Sequence, residues 1–61
     1  MCLSTAYENE MDGKVLMTNV TTVECSDEFV ILTDLMGRRL EVTGSLLRAS
    51  LTDGYVILKV E

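Results

Sequence analysis

Five or six β-prone runs are crowded into 61 residues, and turn-forming residues separate them at short intervals. From Cys2 to Asn9, Leu3, Thr5 and Tyr7 alternate with Cys2, Ser4 and Ala6, the period-two pattern of a half-buried strand. Glu10-Met11-Asp12-Gly13 then offers a hairpin turn built on Asp-Gly. Extended structure resumes from Lys14 to Met17 and continues from Val20 to Cys25, with a kink or bulge expected near Thr18-Asn19. Ser26-Asp27-Glu28 breaks that run, because short polar side chains hydrogen-bond their own backbone and favour turns. Phe29-Val30-Ile31-Leu32-Thr33 is apolar on both faces and is expected to be a central strand.

The second half of the chain repeats the pattern. Asp34-Leu35-Met36-Gly37 reads as a turn in which Gly37 can take a positive φ. Arg38 to Thr43 follows as a strand, with Leu40 and Val42 on one face and Arg39, Glu41 and Thr43 on a wet one. Gly44 is expected to end it, and Ser45-Leu46-Leu47-Arg48-Ala49-Ser50 reads as one short helical turn capped by Ser45. Asp53-Gly54 forms a second turn before the closing run from Tyr55 to Val60.

Without proline, repeats or low-complexity linkers, residues 1–61 form a single domain. So many strands in so short a chain cannot build two full sheets. The expected fold is all-β: a small SH3/Sm-like bent β-barrel of five to six short antiparallel strands with one short helical turn. A chain of this size buries only about 60% of the surface its unfolded form exposes, yet 48% of its residues are apolar. That excess predicts a homodimer, with an edge left by the first or last strand pairing with a second chain. Tyr7 and Tyr55, in a chain whose one other aromatic is Phe29, are assigned to core packing.

Charge and composition narrow the function. Ten carboxylates face five basic residues, for a net charge of −5, and nucleic-acid affinity depends on clustered Lys and Arg. Only Arg38 and Arg39 are adjacent. No histidine is present, which removes Ser-His and Cys-His pairs, HExxH zinc sites and imidazole acid-base chemistry. The expectation is a protein that is not an enzyme. No apolar run approaches the roughly 20 residues of a membrane span, and no signal-peptide pattern opens the sequence. A cytoplasmic location is therefore expected.

Cys2 is the residue with the most specific chemistry. If Met1 is removed, the Cys2 amine and thiolate can chelate one metal in a five-membered ring. If Met1 is retained, its amine, the Cys2 amide nitrogen and the Cys2 thiolate offer two fused rings. Either way the donors are nitrogen and sulfur in a plane, which suits Ni(II), whereas zinc prefers a tetrahedron. One chain supplies too few donors, but two N-termini meeting on a two-fold axis supply an N₂S₂ set. The competing role for Cys2 is that of a small apolar residue opening a strand. Cys25 has only that second role, and is expected to end its strand on the core side.

Other residues offer weaker chemistry. Asp27-Glu28 and Glu8, Glu10 and Asp12 could hold a hard cation, but they lack EF-hand spacing and turn carboxylates generally face water. Tyr7 and Tyr55 could stack on bases. Met11, Met17 and Met36 could be soft ligands, yet methionine more often fills gaps.

The opening Met1-Cys2-Leu3-Ser4-Thr5-Ala6-Tyr7, on a chain with two Asp-Gly turns and a Val-Ile-Leu-rich final strand, resembles the CooT family. Proteins of that family are small, include a nickel-binding member linked to carbon monoxide dehydrogenase maturation, and are often labelled predicted RNA-binding proteins. The resemblance implies an Sm-like β fold, a homodimer, and nickel held by Cys2 of both subunits. Cys2 is the one ligand position that carries over. The resulting expectation is a nickel(II)-binding metallochaperone or carrier, with a nickel enzyme or its maturation factors as partner. The alternative is an Sm-like RNA-binding module, which the fold favours and the acidic charge opposes. A thiol redox sensor on Cys2 would need a depressed thiol pKa that no adjacent basic residue provides. A structural dimer without a ligand is the plainest alternative.

Overall fold

The computed structural model of the chain describes residues 3–10 and 13–61. Five strands follow one another: β1 (Ser4–Glu8), β2 (Val15–Cys25), β3 (Phe29–Asp34), β4 (Arg39–Ser50) and β5 (Tyr55–Val60). They close into a barrel in the order β1-β2-β3-β4-β5, with β5 returning to β1. Four pairings are antiparallel. The closing one is parallel, with Thr5 opposite Tyr55 and Glu8 opposite Leu58. This corrects two expectations, that all strands are antiparallel and that the first and last strands leave free edges. Each terminal strand is flanked on both sides, so neither offers the edge through which a second chain was expected to pair.

Two long strands make closure possible with so few residues. The first part of β2 pairs with β1 through Val15, Met17 and Val20, and its second part pairs with β3 from Val20 to Cys25. Between them Asn19 adopts φ 55° and the register slips between Val20 and Thr22, so the expected break near Thr18-Asn19 lies within one continuous strand. In the same way β4 pairs with β3 through residues 39–43 and with β5 through residues 44–50. Gly44 is the pivot. It does not end the strand but carries it on at φ 149°, and a Cβ there would run into the Lys59 carbonyl of β5.

Residues 45–50 therefore form strand, not the helical turn read from the sequence. Leu46, Leu47, Arg48 and Ala49 favour helix locally, but so short an isolated helix is marginal in water. The ladder to β5 decides the outcome, with an irregularity between Leu46 and Arg48.

The core is aliphatic: Ala6, Val20, Val30, Leu32, Val42, Val56 and Leu58. β1 turns its small side chains, Ser4 and Ala6, inward, while Thr5 and Tyr7 are half-buried on the other face. Phe29 and Tyr55 are likewise half-buried, so neither tyrosine joins the core as the sequence reading assigned them. Interior positions of a small barrel are filled by compact side chains, and rings are left to its walls. Cys25 also departs from expectation. It is exposed, because the end of β2 carries alternation past the core.

Candidate metal-carrying terminus and the surfaces around it

Cys2, the predicted ligand, lies outside the described residues, as do Met11 and Asp12 of the first expected turn. The structure does define the anchorage of the chain that follows Cys2. Ser4 pairs with Val20 of β2, and the Thr5 N–H donates to the Gly54 carbonyl at 3.0 Å. Gly54 takes φ 76° in the β4–β5 turn, and a Cβ on it would stand 3.2 Å from the Leu3 carbonyl oxygen. The Asp53-Gly54 turn thus does more than reverse the chain. Its glycine lets the start of β1 approach closely, which holds Leu3 and Thr5 against the β4–β5 turn.

Beside the start of β1 lies a groove of 290 Å³ lined by Ser4, Val23, Leu46, Ala49, Leu51 and Val56, among others. Its rim is apolar and open. Leu51 is 78% exposed and Leu46 39%, and Leu3, which is outside the lining but precedes Ser4 in the chain, is 39% exposed. The sequence reading assigned residues 45–50 to a helical turn, which does not place Leu46 and Ala49 on one wall of a groove.

The remaining candidates are scattered. Glu10, Asp27 and Glu28 are exposed and Glu8 is half-buried. Among the described residues, no group of three or more His, Cys, Asp or Glu side chains could hold a metal. Met17 packs against the core, and Met36 is 77% exposed at the β3–β4 turn. Tyr55 lies beneath the Arg48 guanidinium, 5.9 Å from ring centroid to Cζ, within cation–π range.

One residue with a structural role, Asp34, was read from sequence only as a turn former. Its side chain is 6% exposed. Oδ1 accepts the Met36 N–H at 2.9 Å and the Arg38 N–H at 2.8 Å, and Oδ2 accepts Arg38 Nε at 2.9 Å. Its backbone N–H donates to the Arg38 carbonyl, and Gly37, at φ 83°, donates to the Asp34 carbonyl. Burial by itself pushes the Asp34 carboxyl up, but the hydrogen bonds from Arg38 and Met36 and the Arg38 charge outweigh it and hold the pKa below the ordinary value. The signal for this was present in Asp34-Leu35-Met36-Gly37-Arg38, an Asp able to bond backbone two residues on.

These features define a small closed barrel of the SH3/Sm-like kind. The chain belongs to the CooT family: the family model described as "CO dehydrogenase accessory protein CooT" matches residues 1–59. The fold agrees with a solved structure described as a CooT protein from Carboxydothermus hydrogenoformans, at a TM-score of 0.84 and 21% identity over 98% of each chain. No curated protein matches the sequence. Family membership supports an accessory role in CO dehydrogenase maturation.

Proposed function

We propose that this chain is a non-catalytic nickel(II) carrier that works as a homodimer, with Cys2 of both subunits and their N-terminal backbone nitrogens holding one metal for delivery to a carbon monoxide dehydrogenase. CO dehydrogenase is a nickel enzyme, so its accessory protein has a reason to handle that ion. The observation that carries the reading is the leucine-rimmed groove beside the start of β1. A second copy covering Leu3, Leu46 and Leu51 would remove apolar surface from water and bring two copies of the Leu3 backbone toward one axis. Each Cys2 is bonded to Leu3, so the same contact would bring two thiolates within reach of one ion.

The donor set suits the ion. Thiolate and deprotonated backbone or amine nitrogens give N₂S₂ in a plane, a geometry preferred by Ni(II). Binding deprotonates these donors, so nickel uptake releases protons and weakens as pH falls. Titration of nickel into the protein should give sulfur-to-nickel charge-transfer absorption that saturates at one metal per two chains. Saturation at one metal per chain, or absorption without a sulfur band, would contradict the shared site.

A further inference from the structure

On a different part of the barrel, a cleft of 480 Å³ opens between the first part of β2 and the start of β4, lined by Leu16, Met17, Thr18, Arg38, Arg39 and Leu40, among others. One wall is a sheet edge. Residues 15–18 pair with β1, but β3 joins β2 only from Val20, opposite Asp34, and the Asn19 carbonyl is taken by the Leu35 N–H. Among the described residues, 15–18 therefore have ladder partners on the β1 side alone. At about 3.3 Å per residue this free edge is roughly 13 Å long. Leu16, Met17 and Leu40 are half-buried along it and present apolar surface.

The facing side is cationic. Arg38 commits Nε to Asp34, and no protein partner is found for its terminal amino groups among the described residues. Arg39 meets Glu24 only at 3.8 Å with both side chains 60% exposed, a contact of little worth. Two arginines thus line the same cleft as the unpaired edge, in a chain of net charge −5.

We propose that this cleft binds an extended, carboxylate-bearing segment of a partner protein by strand addition to residues 15–18, with Arg38 and Arg39 receiving its acidic side chains. Backbone hydrogen bonds supply affinity in this mode, and alternate side chains supply specificity. Arginine over an exposed edge suits carboxylates, which it can hold through two parallel bonds. A second copy of the chain fits poorly, since two-fold pairing of the same edges would set arginine against arginine. Single-stranded RNA fits less well than a peptide, because no aromatic side chain among the described residues lines the cleft and a polyanion meets the acidic remainder of the surface. The inference does not depend on Cys2 or on metal.

The probe is a terminally blocked peptide of about six residues, the length of an ordinary strand, alternating valine and glutamate and titrated into the isotope-labelled full chain while amide shifts are followed. Saturable shifts confined to residues 15–18 and 35–40 are expected. Arg39→Glu should weaken binding roughly tenfold or more, the scale of one charge-assisted hydrogen bond. The same peptide N-methylated at every amide, or with lysine for glutamate, should not bind. If Arg39→Glu fails to fold, the N-methylated peptide decides. Equal binding of the N-methylated peptide, shifts centred elsewhere, or no shift at millimolar peptide would overturn the proposal. So would binding of a single-stranded oligouridylate of about ten nucleotides at this cleft when the glutamate peptide does not bind.

Discussion

Replacing Gly44 with alanine should unfold much of this protein, although the change adds one methyl group. Gly44 is buried within β4, at φ 149°, and the added Cβ would collide with the Lys59 carbonyl on β5. Backbone held outside the regions open to L-residues costs of order 1–3 kcal/mol, and overpacking a well-packed site costs about the same again. The sum, roughly 2–6 kcal/mol, compares with a total stability of about 3–9 kcal/mol for 61 residues at the usual per-residue value. Gly37→Ala is the control. Gly37 also has positive φ, 83°, but a Cβ there would meet nothing within 4 Å, so the expected cost is only the left-handed penalty of about 1–2 kcal/mol. Urea titrations followed by far-ultraviolet circular dichroism at equal protein concentration compare the two. The Gly44→Ala midpoint should lie well below that of Gly37→Ala. Coincident midpoints would refute the account of Gly44 as the pivot of one continuous strand.

Other consequences follow from the surfaces and the charges. Leu51→Asp should leave the circular dichroism spectrum unchanged but shift sedimentation from dimer to monomer, and a dimer that survives would move the interface away from the groove. Because the Asp34 pKa lies below its unfolded value near 3.9, the ionised carboxylate stabilises the fold above that value and loses this contribution as pH falls through the lower folded-state pKa. Asp34→Asn should therefore be less stable at neutral pH and show a flatter stability profile between about pH 5 and pH 2, read by urea midpoints. Single-stranded RNA should not bind at physiological salt, and tight binding whose log K falls with log salt at a slope of about −0.7 per phosphate contact would favour the Sm-like RNA-binding alternative.

Much of the fold was legible because the strands carry their own signatures. β3 and β5 stood out as β-branched and aliphatic runs, and Gly37 and Gly54 marked turns that do take positive φ. What local reading missed was decided by distant pairing. Residues 45–50 look helical from their own side chains and become strand only because β5 lies alongside. Gly44 reads as a terminator and acts as a bend, since its conflict is with Lys59, fifteen residues away in sequence. The parallel closure of β1 on β5 leaves no trace in periodicity, which is two for either direction. The donor chemistry of Cys2 can be read from the sequence alone, while the groove beside the start of β1 needed the strand assignment of β4. Asp34 was signalled as a turn residue, but its carbonyl also accepts from the Thr21 hydroxyl, thirteen residues away, a contact that only the β2–β3 pairing creates.

Native mass spectrometry with and without nickel tests the central claim most directly, because it reports subunit number and metal count on the same ion. The wild type should appear at twice the chain mass and gain one nickel per dimer. Cys2→Ser should remain a dimer without tight nickel. Cys25→Ser, altering an exposed thiol, should behave as wild type. A Cys2→Ser dimer that retains nickel at the same stoichiometry would contradict the shared thiolate site.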